Sequence, residues 1–112
     1  MKKIINTLTK HLLGKKEGKN ISYYNFTEIK ESEETIKNGK RDGLYIGWYK
    51  NNGQRRFKIP YKNGKQVGVK YSWYENGQKE SKGTWKNGKE NGVFTEWYDD
   101  GQKESEENWK DF

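Results

Sequence analysis

The nonapeptide WYENGQKES, Trp73 to Ser81, returns 24 residues later as WYDDGQKES, Trp97 to Ser105, and a looser copy, WYKNNGQRRF, begins at Trp48. A chain that repeats itself at so short a period cannot build one conventional core. Each unit is too small to bury its own apolar face and must stack on its neighbours. Three units follow one another at 37–61, 62–85 and 86–109. Each opens with Lys-Asn-Gly-Lys and places a second glycine four residues after the first. Trp-Tyr follows, and then a turn ending in Gly-Gln. A worn half-copy at 21–36 precedes them, where Lys30–Ile36 (KESEETI) parallels Lys103–Trp109 (KESEENW).

Asn-Gly and Asp-Gly are the strongest short hairpin signals, because a type I′ turn needs positive φ at both central residues. Those expected to form such turns are Asn38-Gly39, Asn63-Gly64, Asn76-Gly77, Asn87-Gly88 and Asp100-Gly101. The intervening segments have strand length and are rich in Val, Tyr, Trp and Thr. The chain therefore reads as an all-β, elongated single-layer antiparallel meander. Two-residue turns at 76–77 and 100–101 set Trp85 opposite Gly68 and Trp109 opposite Gly92. The one-residue insertion in the first unit is expected to form a three-residue loop at 51–53, which keeps Tyr61 opposite Gly43. A ring would then cover the gap left by each glycine; the alternative is that these glycines mark bulges. Pro60 lacks a ladder donor, so the strand that carries it is expected to be the least regular.

Alternation sorts the side chains into two faces. Leu44, Ile46 and Trp48 share one with Val69, Tyr71, Trp73, Val93, Thr95 and Trp97. Tyr61, Trp85, Phe94 and Trp109 take the other, with Tyr49, Tyr74 and Tyr98. Both faces carry rings, which suits a single layer. Composition agrees: 29% of the chain is hydrophobic and 35% charged, yet 15% is aromatic. That is too few aliphatics for a two-layer core and too many rings for a disordered chain.

Cysteine is absent, which removes disulfides and thiolate chemistry. The net charge of +7 is unevenly placed. Residues 1–20 carry six Lys and one Glu, and residues 37–70 carry ten Lys or Arg and one Asp. Residues 71–112 carry six Lys against ten acids. Ile4, Ile5, Leu8 and Leu12 fall on one side of an amphipathic helix expected over 2–13, within an N-terminal segment 1–20; the repeat domain takes 21–112. That helix either caps the sheet or lies at a membrane surface. Its apolar part is interrupted by Asn6, Thr7, Lys10 and His11 and lacks a cleavage pattern, so a retained segment and a cytoplasmic chain are expected.

No catalytic constellation emerges. His11 has no second His or Cys with which to hold zinc, and no base accompanies a nucleophile. Asp99-Asp100 sits in a turn, where Asp is favoured for its backbone chemistry. Glu31–Glu34 and Glu104–Glu107 read as solvated strand faces. No cofactor is implied. Rings among basic residues raise nucleic-acid binding, but the acidic last unit argues against it.

Lys-Asn-Gly-Lys with Trp-Tyr-x-x-Gly-Gln, three times over, resembles the MORN-repeat-variant family, many of whose bacterial members are described as YwqK-like antitoxins. The resemblance covers Lys37 to Trp109 well and Tyr23 to Ile36 weakly. It implies an elongated β-meander that binds a protein partner, such as a cognate toxin, and does not catalyse. Trp48, Trp73 and Trp97, with Tyr49, Tyr74 and Tyr98, are the expected docking rings. Glu96, Asp99, Asp100 and Glu104 would meet a basic partner; Arg41, Arg55, Arg56 and Lys58 would meet an acidic one. The alternative is a scaffold that binds anionic lipid through the N-terminal helix and the basic first units.

Overall fold

A computed structural model of the chain describes residues 16–109. Four hairpins follow one another with the same parts. In chain order the strands are β1 (Gly18–Tyr23), β2 (Lys30–Lys37), β3 (Lys40–Arg41), β4 (Gly43–Trp48), β5 (Arg55–Lys62), β6 (Lys65–Gln66), β7 (Gly68–Trp73), β8 (Lys79–Lys86), β9 (Lys89–Glu90), β10 (Gly92–Trp97) and β11 (Lys103–Trp109). All belong to one antiparallel sheet in the order β1-β2-β4-β5-β7-β8-β10-β11, with β3, β6 and β9 as two-residue stubs on β2, β5 and β8. The slab measures 53 × 38 × 16 Å. Among the described residues there is no helix; the expected helix over 2–13 lies outside them.

The register follows the repeat. Gly43 pairs with Tyr61, Gly68 with Trp85 and Gly92 with Trp109. Three of the five expected type I′ turns form, with Asn38, Asn63 and Asn87 at φ 52°, 49° and 51° and their glycines at 74°, 80° and 84°. The other two do not. At Asn76 and Asp100 only the following glycine has positive φ. There the Tyr74 and Tyr98 N–H groups donate to the carbonyls of Gln78 and Gln102 (2.9 and 2.8 Å), closing three-residue loops. The loop in the preceding hairpin is also longer than expected, running 50–53 between Tyr49 and Gln54. A one-residue bulge restores the pairing each time. Glu80 is skipped between Trp73↔Lys79 and Ser72↔Ser81, as are Arg56 and Glu104 in the hairpins on either side. The three-residue loop with a left-handed glycine matches strand twist, and the bulge absorbs its extra residue.

The segment expected to be a worn half-copy forms a full hairpin. β1 and β2 pair from Gly18↔Ile36 to Tyr23↔Lys30, with Glu31 as the skipped residue. Its loop lacks glycine, and Phe26 takes the left-handed position (φ 61°) in a turn closed by the Thr27 N–H on the Tyr24 carbonyl.

Glycines 43, 68 and 92 combine the two readings made of them. They face a ring in register, and they also sit at a step of two residues between stub and strand. Pairing jumps from Ile36↔Arg41 to Glu33↔Ile46, for example. The space beside them is bordered by Thr35, Pro60 and Thr84, not by the paired ring. The rings that fill glycine gaps are Phe57 against Gly47 and Phe94 against Gly83. The same step explains Pro60. Its carbonyl accepts from Val67 at 3.0 Å across the step, and the N–H of a strand residue points the same way, so no regular ladder bond is lost. Consequently β5 is as long and continuous as β8, contrary to expectation.

Little is buried. Ile36 and Ile59 form the apolar centre on the face that carries Tyr45, Phe57 and Tyr61. Glu34, expected in solvent, is 3% exposed beside them. Its carboxylate accepts from the Arg41 Nε at 2.8 Å, and the guanidinium lies 4.0 Å from the Tyr45 ring centre. Burial alone lowers the Arg41 pKa, but the bond and charge of Glu34 outweigh it and hold the guanidinium above its ordinary value.

A ladder of rings and cations as the candidate functional site

The Trp-Tyr dipeptides end the first strand of each hairpin, so the repeat places them at one end of the sheet. Alternation then sends Trp48, Trp73 and Trp97 to the same face. The structure adds a member that sequence reading missed. Tyr23-Tyr24 occupies the Trp-Tyr position of the first hairpin, with Tyr23 opposite Lys30. The pattern was legible, because Ser22-Tyr23-Tyr24 parallels Ser72-Trp73-Tyr74.

Opposite each ring stands a cation. Tyr23 pairs with Lys30, Trp48 with Arg55, Trp73 with Lys79 and Trp97 with Lys103. Rings and cations therefore alternate along eight neighbouring strands at roughly 5 Å steps, placing rings about 10 Å apart. The cations also reach across hairpins. Lys30 Nζ lies 5.5 Å from the Trp48 ring centre and Lys79 Nζ 5.8 Å from that of Trp97. Tyr71 stacks on Trp73 at 5.6 Å and lies under Lys79 and Lys82. Such contacts hold a ring's face and an ammonium together while both stay accessible.

The neighbouring tyrosines bond from hairpin to hairpin. Tyr24 donates its hydroxyl to the Trp48 carbonyl, Tyr49 to Trp73 and Tyr74 to Trp97, at 2.6, 2.6 and 2.7 Å. Each ties one hairpin to the next. Desolvation first, and the nearby Glu80 second, push the Tyr49 and Tyr74 phenols above their ordinary pKa, so they remain donors. Tyr98 occupies the same position in the last hairpin, is 50% exposed, and has no following strand among the described residues. Asn52 and Asn76 repeat the pattern, donating to the carbonyls of Glu75 and Asp99 at 2.5 and 2.7 Å.

The expected acidic residues are not gathered with the tryptophans. Glu96 projects from the opposite face, across from Ser105. Asp100 accepts from the Gln102 N–H at 2.9 Å and builds its own turn. Asp99 lies in the same loop, and Glu104 is the bulged residue. Among the basic candidates, Arg41 is held by Glu34 on the other face, Arg56 lies over the Tyr49 ring, and Arg55 and Lys58 belong to the ladder face. Among the described residues no cluster of three or more acids or histidines could hold a metal ion; His11 lies outside them.

Residues 66–87 and 90–111 match the family model of the MORN repeat variant, covering the third and fourth hairpins. Repeats of this class are non-enzymatic modules that bind proteins or membranes. No curated protein and no solved structure matches the chain.

Proposed function

We propose that the chain is a protein-binding module that docks a partner on the ladder face. The observation that carries this reading is the alternation itself, Tyr23, Lys30, Trp48, Arg55, Trp73, Lys79, Trp97 and Lys103, on a slab only 16 Å thick with no second layer over it among the described residues. Rigid rings supply contact area at low entropic cost, and cations between them select carboxylates. The partner it suits presents acidic groups at intervals of about one repeat, roughly 10 Å, beside apolar side chains. The resemblance of the repeats supports a toxin held inactive by such docking, with this chain as its antitoxin.

The test is capture of the stoichiometric partner from the source cells, followed by Lys79→Glu on the ladder face and Lys70→Glu on the other face. Lys79→Glu is expected to abolish capture while Lys70→Glu, which touches Trp85 instead, retains it. Equal loss in both, or binding to anionic vesicles but to no protein, refutes the reading.

A further inference from the structure

We propose that the two open edges of the sheet pair between copies, β11 of one chain against β1 of the next, so that the protein assembles head to tail. Within the chain, each strand that closes a hairpin receives the strand that opens the following one: β2 receives β4, β5 receives β7 and β8 receives β10. β11 closes the last hairpin and β1 opens the first. Among the described residues neither has a neighbour on its outer side.

Both edges are built as if that neighbour were present. Gly18 has φ +88°, matching Gly43, Gly68 and Gly92 at 119°, 69° and 95°, the residues that begin the received strands β4, β7 and β10. The Glu17 carboxylate accepts from the N–H groups of Asn38 and Gly39 at 3.0 and 2.7 Å, as Asp42 accepts from that of Asn63 at 3.4 Å. The sequence GKKEG at 14–18 repeats GKRDG at 39–43. At the far end, Tyr98 takes the place from which Tyr49 and Tyr74 donate to the next hairpin. Its acceptor would be the Tyr23 carbonyl of the next copy.

The internal pairs Thr95↔Lys82 and Glu96↔Ser81 fix the register. Carried across the joint, they set Ile21 opposite Glu106 and Ser22 opposite Ser105. Charge selects the polarity. β11 carries three Glu and one Lys, whereas residues 16–23 at the other edge carry Lys16 and Lys19 against Glu17. Pairing β11 with β11 sets glutamates against glutamates, which blocks that edge from itself. The mixed joint instead lays the acidic β11 beside an edge that carries Lys16 and Lys19. Such a joint is heterologous, so it adds copies in one direction, into a filament or a ring, and the ladder of rings would run on from copy to copy.

The chain has no cysteine, which permits a direct test on the full chain. The double variant Ile21→Cys/Glu106→Cys, oxidised mildly, is expected to give a ladder of disulfide-linked oligomers past the dimer. Its two sites lie on the first and last of eight neighbouring strands, seven spacings or roughly 34 Å apart, and cannot join within one molecule. Ile21→Cys/Ser105→Cys, slipped by one residue onto opposite faces, is expected to stay monomeric. In sedimentation velocity, the unmodified chain should gain mass with concentration beyond a dimer and lose that gain in high salt. Glu106→Lys/Glu107→Lys and Lys16→Glu/Lys19→Glu should each be monomeric alone and associate when mixed. Far-UV dichroism establishes that each is folded. A monomer at every concentration, a stop at the dimer, equal cross-linking in the slipped variant, or folded charge variants that fail to associate on mixing overturns the proposal.

Discussion

Gly83→Ala tests whether a glycine in the sheet is there to admit a neighbour's ring. Gly83 is buried in β8, and its φ is not in the positive range, so the backbone accepts alanine without strain. On conformational entropy alone the substitution would stabilise by about 0.4–1 kcal/mol, because the unfolded chain loses freedom. The added Cβ, however, would lie 2.6 Å from the Phe94 Cδ2 and 3.2 Å from its Cε2. Carbon atoms rest at about 3.5–4.0 Å, so the ring must move by close to an ångström. Overpacking of this kind costs about 1–3 kcal/mol. The ring contact should win, leaving a net loss of about 1–2 kcal/mol. In a domain approaching 100 residues each kcal/mol corresponds to roughly 4–8 °C in Tm. Tryptophan fluorescence in urea and thermal melts followed by circular dichroism read this directly. Phe94→Leu, with its smaller side chain, should remove most of the penalty when combined with Gly83→Ala. A Gly83→Ala protein that melts at or above the parent temperature, or a double variant whose losses simply add, would show that the ring does not occupy the glycine's space.

Tyr74→Phe should lower the urea midpoint through loss of its bond to the Trp97 carbonyl. Tyr98→Phe should change the stability of the monomer hardly at all; equal losses in urea denaturation would refute the staple role. The raised Tyr49 and Tyr74 phenols favour the neutral form in the folded state. Their contribution is therefore complete below about pH 10 and lost as pH rises through their raised values. The urea midpoint should fall in that window, and less steeply in Tyr49→Phe/Tyr74→Phe. Phe26→Gly should stabilise by about 0.5–1 kcal/mol, since relief of a left-handed phenylalanine exceeds the entropic cost of glycine; a lower melting temperature counts against it. Arg41→Met, which takes the guanidinium from both Glu34 and the Tyr45 ring, should cost about 1.5–3 kcal/mol in the same melts.

The repeat and its turns were enough to set the pairing within the last three hairpins, because a period-2 side-chain pattern admits only one register once a turn is placed. They gave Trp85 opposite Gly68 although the turn at Asn76 is not the type expected: the loop residue and the Glu80 bulge cancel. Turn type was illegible because Asn-Gly fits both a two-residue turn and the end of a three-residue one. The first hairpin was underread because its loop has no glycine and its Trp-Tyr is Tyr-Tyr. Of the candidate site, the three tryptophans were read from spacing, but their alternation with Lys30, Arg55, Lys79 and Lys103 was not. Those cations are adjacent only after each bulge has shifted the register.

By itself, then, the sequence determined a ribbon of hairpins in fixed phase, since turn chemistry and alternation act over a few residues. Only the tertiary structure decided which tyrosines are spent on neighbouring carbonyls, that Glu34 is buried with Arg41, and that Phe57 and Phe94 fill the gaps at Gly47 and Gly83. Each of these depends on which residue the next hairpin presents across the sheet, and local sequence does not encode that distance.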